Sequence, residues 1–107
     1  MRKYLLLTVF GLALLTSIAA RADDYMLILK DHQFSPLQIT VPAGQKVKLI
    51  VQNQDPAPAE FESSDLDREK VVSGNSQIVV FIGPLNVGSY SYFDDFHRET
   101  TGTIIAK

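Results

Sequence analysis

The sequence contains no cysteine and only two histidines among its 107 residues. Without cysteine the chain can form no disulfide, which is the usual reinforcement of small extracellular domains. The same absence removes every thiolate from the possible metal ligands. Stability must therefore come from an apolar core, with help from any metal ion that carboxylates and imidazoles bind.

Long apolar runs are also missing, except near the N-terminus. Arg2 and Lys3 precede an apolar run over residues 5–15, and Ala20 and Ala22 supply small residues at the positions that a signal peptidase reads. This pattern predicts a signal peptide over residues 1–22, cleaved after Ala22. A membrane anchor is the alternative interpretation, but the run is shorter than the ~20 residues that a spanning helix needs.

Residues 23–107 are long enough for one small domain and no second one. They carry seven basic and twelve acidic residues, so the net charge of this part is −5. Such a charge disfavours nucleic acid as a partner and favours a metal cation or a cationic protein. The predicted signal peptide indicates export to the periplasm, with no stable insertion in the membrane after cleavage.

The hydrophobic pattern after residue 24 has a period of two. Leu37, Ile39 and Val41 alternate with polar residues and are predicted to face inward. Similar short runs are separated by turn signals, such as residues 31–36. The charged stretch 65–70 is compatible with a solvated loop or one helical turn, and a strand resumes at residues 71–72. The pattern predicts an all-β fold, an antiparallel Greek-key β-sandwich of seven to eight strands.

Candidate metal ligands cluster in two segments. Asp94, Asp95 and His97 follow the predicted strand 89–93, and alternation puts Glu60 and Glu62 on one side of a short strand. If both segments lie at the same end of the sandwich, their side chains can bind one ion. Oxygen donors with one imidazole suit Fe(II), Fe(III), Mn(II) or Cu(II) better than Cu(I).

Several alternatives stay open at these positions. Glu60 and Glu62 could be solvated carboxylates on an outer face. Asp94 and Asp95 should point to opposite sides, so only one of them is expected to bind the ion directly. His32 is either a turn residue or a weaker candidate ligand. We find no nucleophile arrangement and no phosphate-binding loop, so no catalytic residue is predicted.

Three segments of the chain resemble those of the cupredoxins. Residues 34–44 resemble the opening hairpin of that family. Residues 53–61 resemble the segment that carries its first histidine ligand, with Glu60 in the ligand position. Residues 90–97 resemble the strand and loop that carry its cysteine and second histidine, with Asp94 in place of the cysteine and His97 at the histidine. The resemblance implies a cupredoxin-like fold with a mononuclear site at this end.

The departures from the cupredoxin pattern change what it implies. A blue-copper centre needs two histidines and a thiolate, and only His97 fits that set. The chain is more similar to a periplasmic cupredoxin-like subfamily associated with ferrous-iron uptake, through residues 60–63, 68–70 and 94–97. That similarity implies a copper or iron ion held by oxygen and nitrogen ligands.

The subfamily also implies a function and a class of partners. The protein would assist ferrous-iron uptake by delivering or oxidising Fe(II) ahead of a membrane permease, with iron-uptake proteins as partners. The alternative is a metal-free β-sandwich that acts as a docking or assembly module of a membrane transport complex. An enzyme in its own right is the weaker interpretation of so small a domain. The physiological metal and the oligomeric state stay open.

Overall fold

A computed structural model describes residues 24–107, and the predicted signal peptide lies outside the described residues. The described part contains nine strands and no helix. The strands are β1 (Asp24–Lys30), β2 (Gln33–Ser35), β3 (Gln38–Val41), β4 (Val47–Asn53), β5 (Ala59–Ser63), β6 (Arg68–Val72), β7 (Ser76–Ile82), β8 (Gly88–Asp94) and β9 (His97–Ala106). No helix in this range is long and apolar enough to cross a membrane.

The strands form two sheets, in the orders β2-β1-β4-β7 and β3-β9-β8-β5-β6. This confirms the predicted all-β sandwich. The pairing is mixed, however, because β1 pairs in parallel with β4 and β3 pairs in parallel with β9. The chain leaves the first sheet after β2, forms β3 in the second sheet, and returns to the first as β4. This crossing makes β1 and β4 neighbours that run in the same direction.

One short strand, β2, was not predicted, and it accounts for the ninth strand. β2 lies inside the stretch that was expected to be only a turn. β6 extends the predicted strand at residues 71–72 back to Arg68, over half of the charged stretch 65–70, and it pairs along the whole length of β5. Pairing with β5 satisfies the backbone groups on one side of this charged segment, although the local sequence does not indicate a strand there.

The core lies between the two sheets and is built by alternation along the strands. In β4 every second residue is buried, with Val47, Leu49 and Val51 almost completely covered. Ile39 and Val41 of β3 are buried as predicted, but Leu37 is 68% exposed. The inward prediction for Leu37 was wrong because this residue precedes β3 and does not share its alternation.

Tyr92 fills the centre of the core and limits what can stand beside it. Its ring packs against Phe34 and Phe61, at centroid distances of 5.1 and 5.2 Å. On the neighbouring strand β9, Gly102 lies directly opposite Tyr92. A Cβ atom at position 102 would overlap the Tyr92 ring, so only glycine fits there without displacing a buried aromatic residue.

We expect Gly102→Ala to lower the free energy of unfolding by about 1–3 kcal/mol, because the buried ring must move or β8 and β9 must separate. Urea denaturation followed by circular dichroism measures the change. Thr101→Ala, at the exposed neighbouring position, is the matched control and should cost less. A Gly102→Ala protein as stable as this control would contradict the predicted overlap.

Candidate metal centre

Three carboxylates meet on the outer face of the five-stranded sheet. Alternation along β5 turns Glu60 and Glu62 outward, where both are half-buried. The turn between β8 and β9 brings Asp95 beside them, and its N–H donates to the Glu60 carbonyl oxygen at 2.9 Å. One carboxylate oxygen from each of the three residues lies within 4.8 Å of the others. We call Glu60, Glu62 and Asp95 the carboxylate cluster.

The carboxylate cluster is a region of concentrated negative charge. Glu69 on β6 stands opposite Glu62 and adds a fourth carboxylate. Partial burial, and then the carboxyl groups of Glu69 and Asp95, raise the pKa of Glu60 to about 7. Partial burial, followed by the carboxyl groups of Glu69 and Asp95, also raises the pKa of Glu62. A cation between these oxygens would relieve both their burial cost and their mutual repulsion.

One arginine partly balances this charge. Arg98 Nη2 lies 2.6 Å from Asp95 Oδ1, and the Arg98 guanidinium packs over the Phe93 ring. Asp95 Oδ1 is buried, and the Arg98 guanidinium is its ionic partner. A metal ion bound through this oxygen would share it with Arg98 or displace the guanidinium.

Asp94 faces the opposite way from Asp95, as alternation predicts. Its side chain is 1% exposed, and both of its oxygens are engaged. Oδ1 accepts hydrogen bonds from the backbone N–H groups of Glu60 and Phe96, at 2.9 and 3.0 Å. Oδ2 lies 3.1 Å from His97 Nδ1. Asp94 therefore joins β5, the β8–β9 turn and the His97 ring.

The turn between β1 and β2 brings His32 to the same end of the sandwich as His97. The two imidazole rings have centroids 4.2 Å apart, with an angle of 39° between their planes. The Asp55 carboxylate lies beneath the turn and accepts hydrogen bonds from the backbone N–H groups of Asp31 and His32, at 2.7 and 3.0 Å. Its Oδ2 lies 3.9 Å from His32 Nδ1.

The six predicted site residues thus fall into two groups on either side of the β8–β9 turn. The carboxylates of Glu60, Glu62 and Asp95 meet on the outer sheet face. Asp94, His97 and His32 meet at the adjoining end of the sandwich. Glu60 touches the second group only through its backbone N–H, which donates to Asp94. All six lie near one end of the molecule, but their side chains do not surround one point.

Sequence reasoning gave no role to Asp55 or Arg98 and treated Glu69 as part of a solvated loop. Glu69 became a neighbour of Glu62 only because residues 68–72 pair with β5. Recognising that stretch as a strand would have placed Glu69 correctly. No sequence signal indicated that Asp55 would support the turn around His32, because that contact joins distant parts of the chain.

These features define a small two-sheet β-sandwich with candidate metal ligands at one end. The sequence matches the Cupredoxin-like domain family over residues 3–106, and the chain belongs to that family. An uncharacterized protein of Rickettsia prowazekii, RP394, is 43% identical over 77 residues. The match covers 72% of this chain and 62% of that relative, so the chain spans less than two thirds of the relative's length.

Solved structures with similar folds include three copper proteins. The metal binding domain of the Cu(I)-exporting P-type ATPase CopA of Streptococcus pneumoniae has a TM-score of 0.71 and 10% identity, over 78% of this chain and 84% of that one. A purple cupredoxin of Nitrosopumilus maritimus has a TM-score of 0.62 and 19% identity, over 78% and 100%. The blue copper protein auracyanin A of Chloroflexus aurantiacus has a TM-score of 0.68 and 13% identity, over 81% and 100%. At such identities the similarity establishes the fold alone.

A blue-copper centre does not fit this chain. Such a centre needs a cysteine thiolate and two histidines around one ion, and the sequence has no cysteine. Asp94, which the resemblance places at the thiolate position, uses both oxygens in hydrogen bonds within the fold. Any metal that this chain binds must be held by oxygen and nitrogen ligands.

Proposed function

We propose that this chain is a periplasmic metal-binding protein that assists ferrous-iron uptake, holding the ion at the carboxylate cluster and passing it to a membrane permease. The observation that carries the proposal is the placement of three carboxylate oxygens within 4.8 Å of one another. The raised pKa of Glu60 supports it, because these carboxylates repel each other without a cation.

The ligand chemistry favours iron in its ferrous form over the Cu(I) of the structural neighbours. Carboxylate oxygens are hard donors and suit Fe(II) and Mn(II), whereas Cu(I) prefers thiolates and thioethers. The cluster is half-buried on a sheet face, not enclosed in the core. An ion bound there keeps open coordination positions, through which a second protein could take it up. Delivery is therefore favoured over oxidation of Fe(II), which would require an electron acceptor from elsewhere.

The test is a calorimetric titration of the protein with Mn(II), and with Fe(II) under anaerobic conditions. We expect one ion per chain. Glu60→Gln/Glu62→Gln should lower the affinity at least about 100-fold, because two charged oxygen ligands become neutral amides. Asp24→Asn on the other sheet removes a similar charge from an exposed ion pair with Lys48 and should leave the affinity unchanged.

Two results would contradict the proposal. One is an absence of saturable binding of either ion. The other is binding that the double variant leaves unchanged. In the first case the metal-free docking module becomes the better account, with the carboxylates as a surface for a basic partner. In the second case the ion binds at another site, and the carboxylate cluster is not the metal centre. The uptake role has its own test, since cells that carry only the double variant should accumulate as little iron from Fe(II) as cells lacking the gene.

A further inference from the structure

The two histidines form a pair that is separate from the carboxylate cluster. Their rings are neighbours at 4.2 Å, and their side chains are 50% exposed for His32 and 33% exposed for His97. They are the only histidines of the chain, and they come from the β1–β2 turn and the start of β9. Their proximity is therefore a product of the tertiary fold.

A carboxylate lies behind the Nδ1 atom of each ring. Asp94 Oδ2 is 3.1 Å from His97 Nδ1, and Asp55 Oδ2 is 3.9 Å from His32 Nδ1. Histidines that bind metals commonly direct one ring nitrogen to a carboxylate, which orients the ring and leaves the other nitrogen for the ion. In His97 this contact leaves Nε2 for the ion. In His32 the Nδ1–Asp55 separation is longer than a hydrogen bond, so that carboxylate lies near the ring without fixing it, and Nε2 is available as well.

Hydrogen bonds between side chains and the backbone hold His32 in position. Asp31 and His32 have positive φ angles of 51° and 58°, a region that few residues other than glycine adopt. The Asp55 carboxylate accepts both of their N–H groups. The Thr100 hydroxyl donates to the His32 carbonyl oxygen at 2.7 Å. Three hydrogen bonds thus maintain an uncommon conformation that presents the His32 ring beside His97.

We propose that His32 and His97 bind one Cu(II) ion through their Nε2 atoms, at a site separate from the carboxylate cluster. With metal–nitrogen bonds of about 2.0 Å, rings at the observed separation suit adjacent coordination positions, which square-planar and tetragonal Cu(II) offers. Cu(II) is also the divalent ion of the first row that imidazole sites bind most tightly. Asp55 and Asp94 bring two negative charges that match the charge of the ion.

This pair differs from the ligand set that the family resemblance implies, because it contains His32 and neither Glu60 nor Asp94. It also goes beyond the proposed function, since nitrogen donors select a different class of ion from the carboxylate cluster. The two sites adjoin through the β8–β9 turn, where Asp94 contacts His97 and Asp95 contributes to the cluster. One small domain would then bind two ions side by side, one through carboxylate oxygens and one through imidazole nitrogens.

Cu(II) titration followed by electron paramagnetic resonance tests the proposal with the full chain. We expect one tightly bound Cu(II) whose spectrum shows nitrogen hyperfine coupling. Growth with ¹⁵N-histidine should change that coupling, and only His32 and His97 can contribute to the change. His32→Asn should lower Cu(II) affinity at least about tenfold, and asparagine tolerates the positive φ at this position.

The controls separate this site from the carboxylate cluster. Glu60→Gln/Glu62→Gln should leave the histidine-derived coupling unchanged, and His32→Asn should leave Mn(II) binding unchanged. His97→Gln should abolish the coupling, but it also removes the contact with Asp94, so His32→Asn is the deciding variant. A spectrum without histidine coupling, or Cu(II) affinity that His32→Asn does not change, would overturn the proposal.

Discussion

Replacing Asp94 with alanine is expected to lower the free energy of unfolding by about 2–4 kcal/mol, a large fraction of the stability of so small a domain. The carboxylate is buried and accepts hydrogen bonds from two backbone N–H groups, those of Glu60 and Phe96. Alanine would leave both donors without an acceptor and would open a small cavity beside them. Urea denaturation measures the loss.

The same substitution should disturb both candidate sites. Asp94 holds the Glu60 backbone on one side and the His97 ring on the other. We therefore expect Asp94→Ala to weaken Mn(II) and Cu(II) binding together. Asp24→Ala is the matched control, because it removes an exposed carboxylate whose ion pair contributes less than about 1 kcal/mol. If Asp94→Ala proved as stable as this control, the buried hydrogen bonds would not have the importance that we assign to them.

The stability of the metal-free protein should fall as the pH rises from about 4.5 to about 7. The pKa of Glu60 is about 7 in the folded protein and 4.5 without the influence of the fold. Between these values the folded state binds more protons than the unfolded chain, so raising the pH favours unfolding. The cost is absent below the lower pKa and fully present above the higher one. Glu62, whose pKa is also raised, contributes in the same direction.

A divalent cation should reverse this loss at high pH. At a free Mn(II) concentration of 100 times the dissociation constant, binding would raise the free energy of unfolding by about 2.7 kcal/mol. At pH 5 the effect should be small, because Glu60 is then largely protonated and the ion must displace its proton. Denaturation curves over a pH series, with and without Mn(II), provide the measurement.

Glu60→Gln tests whether the Glu60 carboxylate causes both the pH-dependent loss of stability and the gain from Mn(II). This variant should show a smaller decline in stability between pH 4.5 and 7 and a smaller gain from Mn(II). His32→Asn, which leaves the carboxylates intact, should behave as the unmodified chain does in both respects. Equal pH profiles for Glu60→Gln and the unmodified protein would show that the carboxylate cluster does not carry the linkage between protons and metal.

Much of the scaffold was predictable because it depends on local properties. The alternation in residues 47–53 indicated a strand with a buried face, and β4 has that face. The pattern also predicted opposite sides for Asp94 and Asp95 if the strand continued. The two side chains do face opposite sides, but β8 ends at Asp94 and the turn places Asp95. The first three residues of β6 were not predicted as strand because they are exposed and charged, and their pairing with β5 leaves no periodic apolar signal.

The candidate site was predictable as a list of residues near one end, but not as a geometry. Sequence reasoning grouped Glu60, Asp94 and His97 around one ion. In the structure Glu60 faces outward toward Asp95, while Asp94 faces inward toward His97. A side chain's face follows from its strand, but which side chains share that face depends on the neighbouring strands.

By itself the sequence determined the all-β class, the absence of any thiolate ligand and the excess of carboxylates that favours a cation. Only the tertiary structure decided that Glu69 stands opposite Glu62, that Asp55 supports the turn at His32, and that the two imidazoles meet. The reason is physical. Alternation is set by each residue's own backbone, whereas strand order and register are set by how the two sheets bury their shared core.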